Sequence, residues 1–196
     1  MTNVSHEPIA QPPESRFGLS GEYMYELIDL LDLSERFLAS KRSDFEKSEA
    51  MAGAYQHVLD LANRRDESGQ PTMGLRLAAA SITAAVTTNP ELPPKLIEQF
   101  AQPDVLSSQE AVFLSDFIKS ARDVRVGGHG PRDEATMRDM VHAMEQYVGR
   151  PATETEPAPS EGLLLGVLSA AWATTRDPHH KNEFADTLRD NFYTGR

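Results

Sequence analysis

Two segments of helical length are apolar on nearly every side, and they constrain the fold more than any other feature of the chain. One runs from Met73 to Thr87 and the other from Glu161 to Thr175. A helix without a polar face is stable only when other elements surround it. Both apolar runs are too short to span a bilayer. We therefore predict two central helices, buried in a soluble protein.

The rest of the chain also predicts helices. Apolar residues recur at helical spacing, for example at Tyr55, Leu59 and Ala62, and alternating runs typical of strands are absent. Two predicted helix starts carry a capping box of a serine and a glutamate three residues later; these are Ser43 with Glu46 and Ser107 with Glu110. The fold class is therefore all-α, with about eight helices. They cover about 22–42, 44–65, 73–87, 94–101, a stretch from 107, 132–148, 161–175 and a stretch from 178.

Composition limits the domain organisation and the classes of function. Residues 1–19 are polar and contain several prolines, so we expect a disordered N-terminal tail followed by a single helical domain over 20–196. The net charge of −11 repels phosphates, which makes general nucleic-acid binding unlikely. The absence of cysteine excludes disulfides and zinc–thiolate sites. Without an apolar leader segment, we expect a cytoplasmic protein that does not enter a membrane.

The two apolar segments align with each other without gaps at a shift of 88 residues. The matched pairs include Gly74/Gly162, Leu75/Leu163, Ser81/Ser169, Thr87/Thr175, Asn89/Asp177 and Pro90/Pro178. The preceding helices align at a shift of 85, with the pairs Ala52/Met137, Tyr55/Met140, His57/His142 and Leu59/Met144. We predict an internal duplication with repeats 44–124 and 132–193, an extra helix at 22–42, and a pseudo-twofold bundle. The alternative is that two Ala/Leu-rich helices match by composition alone.

The predicted repeat resembles the double repeat at the N-terminus of Clp ATPases. The family motif reads roughly Thr-x-Glu-His-Leu-Leu-Leu-Ala-Leu-Leu; residues 160–168 are similar to it, residues 72–80 are a poorer copy, and residues 55–62 resemble the preceding helix. The histidine of the motif is missing twice, because glycine stands at 74 and 162, and the ATPase modules are absent. The resemblance implies a helical module that binds proteins or peptides and does not turn over a substrate.

Catalytic and metal-binding motifs are not recognisable in this sequence. The six histidines show no chelating spacing, and no nucleophile elbow or phosphate-binding glycine loop occurs, so we expect no cofactor and no metal. One candidate site is the glycine-rich connector between the fifth and sixth helices. There Arg122, Arg125, His129 and Arg132 offer donors to an anion or an acidic partner. The alternative is a flexible connector with solvated arginines.

These observations favour a non-enzymatic interaction or regulatory module whose partner is another protein or peptide. Two alternatives stay open at this stage. The fifth and sixth helices also resemble a helix-turn-helix of a DNA-associated regulator, although Asp133, Glu134 and Asp139 would then face phosphates. An enzyme or a small-molecule-binding helical protein without a linear motif is the other alternative.

Overall fold

The computed structural model describes residues 15–87, 89, 91–126, 131–147 and 159–195. Within these ranges the chain forms eight α-helices and no β-strand, which confirms the predicted all-α class. No helix of the described part is long and apolar enough to cross a membrane. The helices are α1 (Gly21–Ala39), α2 (Asp44–Glu67), α3 (Met73–Val86), α4 (Leu92–Glu98), α5 (Ser108–Val126), α6 (Pro131–Tyr147), α7 (Glu161–Thr174) and α8 (Pro178–Phe192).

Both predicted capping boxes are present. At the start of α2, the side chain of Ser43 accepts a hydrogen bond from the Glu46 N–H at 3.3 Å, and the Ser43 N–H donates to the Glu46 carboxylate at 2.9 Å. Ser107 and Glu110 repeat this arrangement at the start of α5, at 3.2 and 2.8 Å. Each box satisfies two backbone amides that the helix itself cannot pair. Local sequence therefore determines where these helices begin.

Helices α3 and α7 lie side by side at the centre of the molecule, as predicted from their apolar composition. α1, α2, α4 and α5 pack around α3, whereas α5, α6 and α8 pack around α7. Every residue of α7 from Gly162 to Thr174 is buried. Both helices are rich in alanine, whose small side chain lets packed helices approach closely.

The prediction of a disordered tail over residues 1–19 is wrong for residues 15–19, whereas residues 1–14 lie outside the described part. Phe17 and Leu19 are 5% and 0% exposed and belong to the core. The Leu19 N–H donates to the Phe192 carbonyl at 2.7 Å, and the Thr194 N–H donates to the Leu19 carbonyl at 3.1 Å. The segment is ordered because its hydrogen-bond partners come from the other end of the chain.

Two glycines near the starts of the central helices allow backbone segments to cross at close range. A Cβ atom added at Gly74 would lie 2.3 Å from the carbonyl oxygen of Phe17, and one added at Gly162 would lie 2.4 Å from that of Val105. These distances are far shorter than any van der Waals contact, and the obstructing atoms belong to the backbone. Because these two positions lack a side chain, the segments before α1 and α5 can pack directly on α3 and α7.

Substitution of Gly74 by alanine is expected to destabilise the protein by about 1–3 kcal/mol, because segment 15–19 must move away from α3. Urea denaturation of the variant measures this free energy of unfolding. Gly53→Ala is the matched control: nothing lies within 4 Å of an added Cβ there. In that exposed helical position alanine is expected to stabilise by up to about 1 kcal/mol. Equal denaturation midpoints for the two variants would contradict the close crossing.

Several geometries repeat at the predicted shift of 88. Thr87 and Thr175 end α3 and α7 with nearly the same backbone angles, φ −70° and ψ 147° against φ −68° and ψ 140°. The side chains of Asn89 and Asp177 each accept a hydrogen bond from the backbone N–H two residues later, at 2.9 and 2.8 Å. Such matches are expected of an internal duplication, which itself stays a prediction.

The packing differs in detail from the predicted repeats. α1, treated as an extra helix, packs on α2 and α3, and α5, assigned to the first repeat, packs more extensively on α7 than on α3. The contacts therefore group α1–α4 and α5–α8. The shift of 85 between α2 and α6 also disagrees with burial, because Ala52 is exposed where Met137 is buried. Met51, one residue earlier, is the buried counterpart.

Candidate functional site

The predicted anion site between α5 and α6 is only partly within the described residues. The side chains of Arg125 and Arg132 and the whole of His129 lie outside them. Arg122 is described, and its side chain is only 15% exposed. Its Nη1 atom is buried without a hydrogen-bond partner, and its Nη2 atom lies 3.9 Å from Asp123. The Arg122 side chain is therefore not solvated as the alternative of a flexible connector would have it, and convergence of the four residues stays a prediction.

The described histidines are distributed over separate surfaces. His57 on α2 lies 3.7 Å from Glu26 and is largely exposed, whereas His142 on α6 is half-buried. His179 and His180 are neighbours at the start of α8, with ring centroids 6.0 Å apart. Across the described ranges, no three His, Asp or Glu side chains are grouped so that they could hold a metal ion.

A groove of about 410 Å³ lies between α1 and α2. Its floor is apolar and consists of Leu30, Leu33, Ala54 and Val58, all of which also pack on the core. α1 turns one edge of its apolar face toward α2, so the floor of the groove is continuous with the interface between the two helices. The lining residues of the groove therefore all belong to two long helices.

The wall of this groove is acidic. Glu26, Asp29 and Asp32 line it, together with a single arginine, Arg36, and with His57. The three carboxylates are three residues apart along α1, a spacing that puts them on one side of a helix. The apolar face of this helix predicts only its packing on the core, whereas the spacing of the three carboxylates is a usable signal for an acidic surface.

A second groove, of about 400 Å³, lies between α4 and α5. Pro94, Ala101 and the exposed Val112 contribute apolar surface, and Glu98 and Lys119 lie at its edges. Lys119 also lies 3.4 Å from Asp116, which lines the same groove. Its charges are mixed, so this groove shows no preference for a partner of either sign.

Comparisons with known protein families, with curated proteins and with solved structures find no match to this chain. The resemblance to the Clp N-terminal repeats therefore stays a prediction that depends on the sequence motifs and on the central helices.

Proposed function

We propose that this chain is a protein-interaction module that binds a basic, partly apolar peptide segment of another protein in the groove between α1 and α2. The observation that carries the proposal is the combination of an apolar floor with three carboxylates on one wall. The proposal agrees with the resemblance to the Clp N-terminal repeats, which implies peptide or protein binding.

The two parts of the groove have different roles in binding. Leu33 and Ala54 are the partly exposed residues of the floor, and they can contact apolar side chains of a ligand and contribute affinity through the hydrophobic effect. Asp29 and Asp32 are exposed at the rim, where they favour cationic ligands and speed their association. Arg36 opposes this effect with a single positive charge, so the wall stays net negative.

Neutralising the two exposed carboxylates is expected to weaken binding of a cationic amphipathic peptide. The probe is a fluorescein-labelled helical peptide of leucine and lysine, titrated by fluorescence anisotropy. Exposed ion pairs contribute about 0.2–1 kcal/mol each, so Asp29→Asn combined with Asp32→Asn should weaken binding by about 2- to 30-fold at low salt. The difference should shrink as salt is added, because surface charges are screened.

A control variant separates this groove from the general acidity of the protein. Asp139→Asn with Asp190→Asn removes the same number of charges from exposed positions on α6 and α8. Its affinity for the peptide should stay close to that of the unmodified protein. Equal losses in both double variants, or equal binding of a leucine–glutamate peptide, would contradict the proposal.

A further inference from the structure

A separate cavity of about 240 Å³ lies where segment 15–19 meets the C-terminal segment and the end of α2. Its lining includes Ser20, Glu22, Tyr23, Arg65, Gln70 and Thr194. At roughly 30 Å³ of liquid volume per water molecule, this space corresponds to about eight waters. It is open to solvent and lies outside the α1–α2 groove.

Two polar atoms in the residues lining this cavity have no hydrogen-bond partner. Tyr23 is only 3% exposed, and its buried hydroxyl is unpaired. The Nε atom of Arg65 is also buried and unpaired, although Nη2 of the same side chain donates to Glu22 at 2.6 Å. Burial raises the pKa of Tyr23, against the opposing effect of Arg65, so the phenol stays protonated at neutral pH. Both atoms are donors that lack an acceptor, which is costly in a folded protein.

At the corresponding place beside α5 and α7, a carboxylate accepts backbone N–H groups. Glu110 follows Ser107 by three residues, as Tyr23 follows Ser20, and the backbone N–H of each donates to the serine at 3.2 Å. The Glu110 carboxylate accepts the backbone N–H groups of Ser107 and Ser160, both at 2.8 Å. A partly buried carboxylate thus joins the starts of α5 and α7.

The ionisation of Glu110 supports this comparison. Burial acts to raise the pKa of Glu110, but the N–H donors of Ser107 and Ser160 outweigh it and lower the pKa. Beside α1 and α3, Tyr23 stands at the position of this carboxylate, and the α3 N-cap residue Thr72 makes no side-chain cap hydrogen bond but donates its hydroxyl to Asp66 at 2.5 Å. The cavity of about 240 Å³ lies on the side of α1 and α3.

We propose that the cavity binds a carboxylate group of a ligand, with Arg65 and Tyr23 as its donors. The two unpaired atoms are screened from solvent while Glu22 holds the guanidinium. Glu22 lies in the first turn of α1 with a side chain 44% exposed, so it can rotate into water when a ligand carboxylate replaces it. The carboxylate belongs either to the C-terminus of a peptide or to a small free acid.

The test uses the full chain, labelled with ¹⁵N, and follows the backbone amides of Ser20, Glu22 and Gln70 by NMR. The probes are N-acetyl trialanine with a free carboxyl terminus, the same peptide as its amide, and sodium acetate. We expect saturable shifts with the free acid and none with the amide. Acetate binding as tightly as the peptide would identify a small acid as the ligand, whereas weaker acetate binding would identify a peptide terminus. Equal shifts with acid and amide, or no saturable shift with any probe, would overturn the proposal.

Three variants connect the binding to the named atoms. Arg65→Gln and Tyr23→Phe should each weaken binding by about tenfold or more, as expected for hydrogen bonds to a charged group. Glu22→Gln should tighten binding, because it removes the competing carboxylate. Tyr23→Phe deletes only an unpaired hydroxyl and should leave thermal stability unchanged or raised, so a loss of binding cannot come from unfolding. Unchanged affinity in Arg65→Gln and Tyr23→Phe, or no gain in Glu22→Gln, would overturn the assignment of these residues.

Discussion

An aspartate in place of Leu165 is expected to leave the protein unfolded at room temperature. Leu165 is 0% exposed and belongs to α7, which is packed against α3 and α5. Removing a buried leucine side chain costs about 2–5 kcal/mol, and burying a carboxylate without a partner costs several more. Since whole domains are stable by about 5–15 kcal/mol, the sum is comparable with the entire stability. Far-UV circular dichroism and a thermal melt measure the loss of helix.

The control for this prediction is Leu165→Met, which nearly conserves side-chain volume and adds no charge. It should cost less than about 1.5 kcal/mol and keep a cooperative melt. A folded aspartate variant with a melting temperature close to that of the unmodified protein would show that α7 is not the centre of the core.

Phe17→Ala is expected to lower the free energy of unfolding by about 3–5 kcal/mol, the usual cost of truncating a buried phenylalanine. The Phe17 ring packs near Gly162 of α7, and its carbonyl lies against Gly74 of α3. Phe17 therefore contacts the starts of both central helices, α7 through its ring and α3 through its backbone. Urea denaturation followed by circular dichroism measures the change.

Arg16→Ala is the matched control in the same segment. The Arg16 side chain is partly exposed and lies 3.5 Å from the exposed Asp104, so its loss should cost less than about 1 kcal/mol. If Phe17→Ala is no more destabilising than Arg16→Ala, segment 15–19 does not contribute to the core.

Helix positions could be predicted from the sequence because their causes are local. The capping boxes at Ser43 and Ser107 depend on residues three positions apart. The apolar composition of residues 73–87 and 161–175 requires surroundings without water, whatever those surroundings are. Eight helices and a central α3–α7 pair follow from these two kinds of information.

The candidate sites were less predictable because they depend on residues far apart in the chain. The α1–α2 groove needs Asp29 and Val58 side by side, and periodicity within one helix does not specify its neighbour. Arg122 was predicted as a donor to an anion or, alternatively, as a solvated side chain, but packing covers most of its side chain. The cavity beside Tyr23 could not be predicted from the sequence, since a tyrosine in an apolar stripe predicts only burial.

The sequence by itself thus determined the helical class, the approximate positions of the eight helices in the described part of the chain and which two helices are buried. Only the tertiary structure decided that segment 15–19 belongs to the core, because Leu19 pairs with backbone groups of Phe192 and Thr194. The tertiary structure alone also placed the unpaired hydroxyl of Tyr23 in the same cavity lining as Arg65. The physical reason is the same in both cases. Hydrogen bonding and burial between distant segments depend on how helices pack, and helix packing depends on the complementary shapes of whole surfaces.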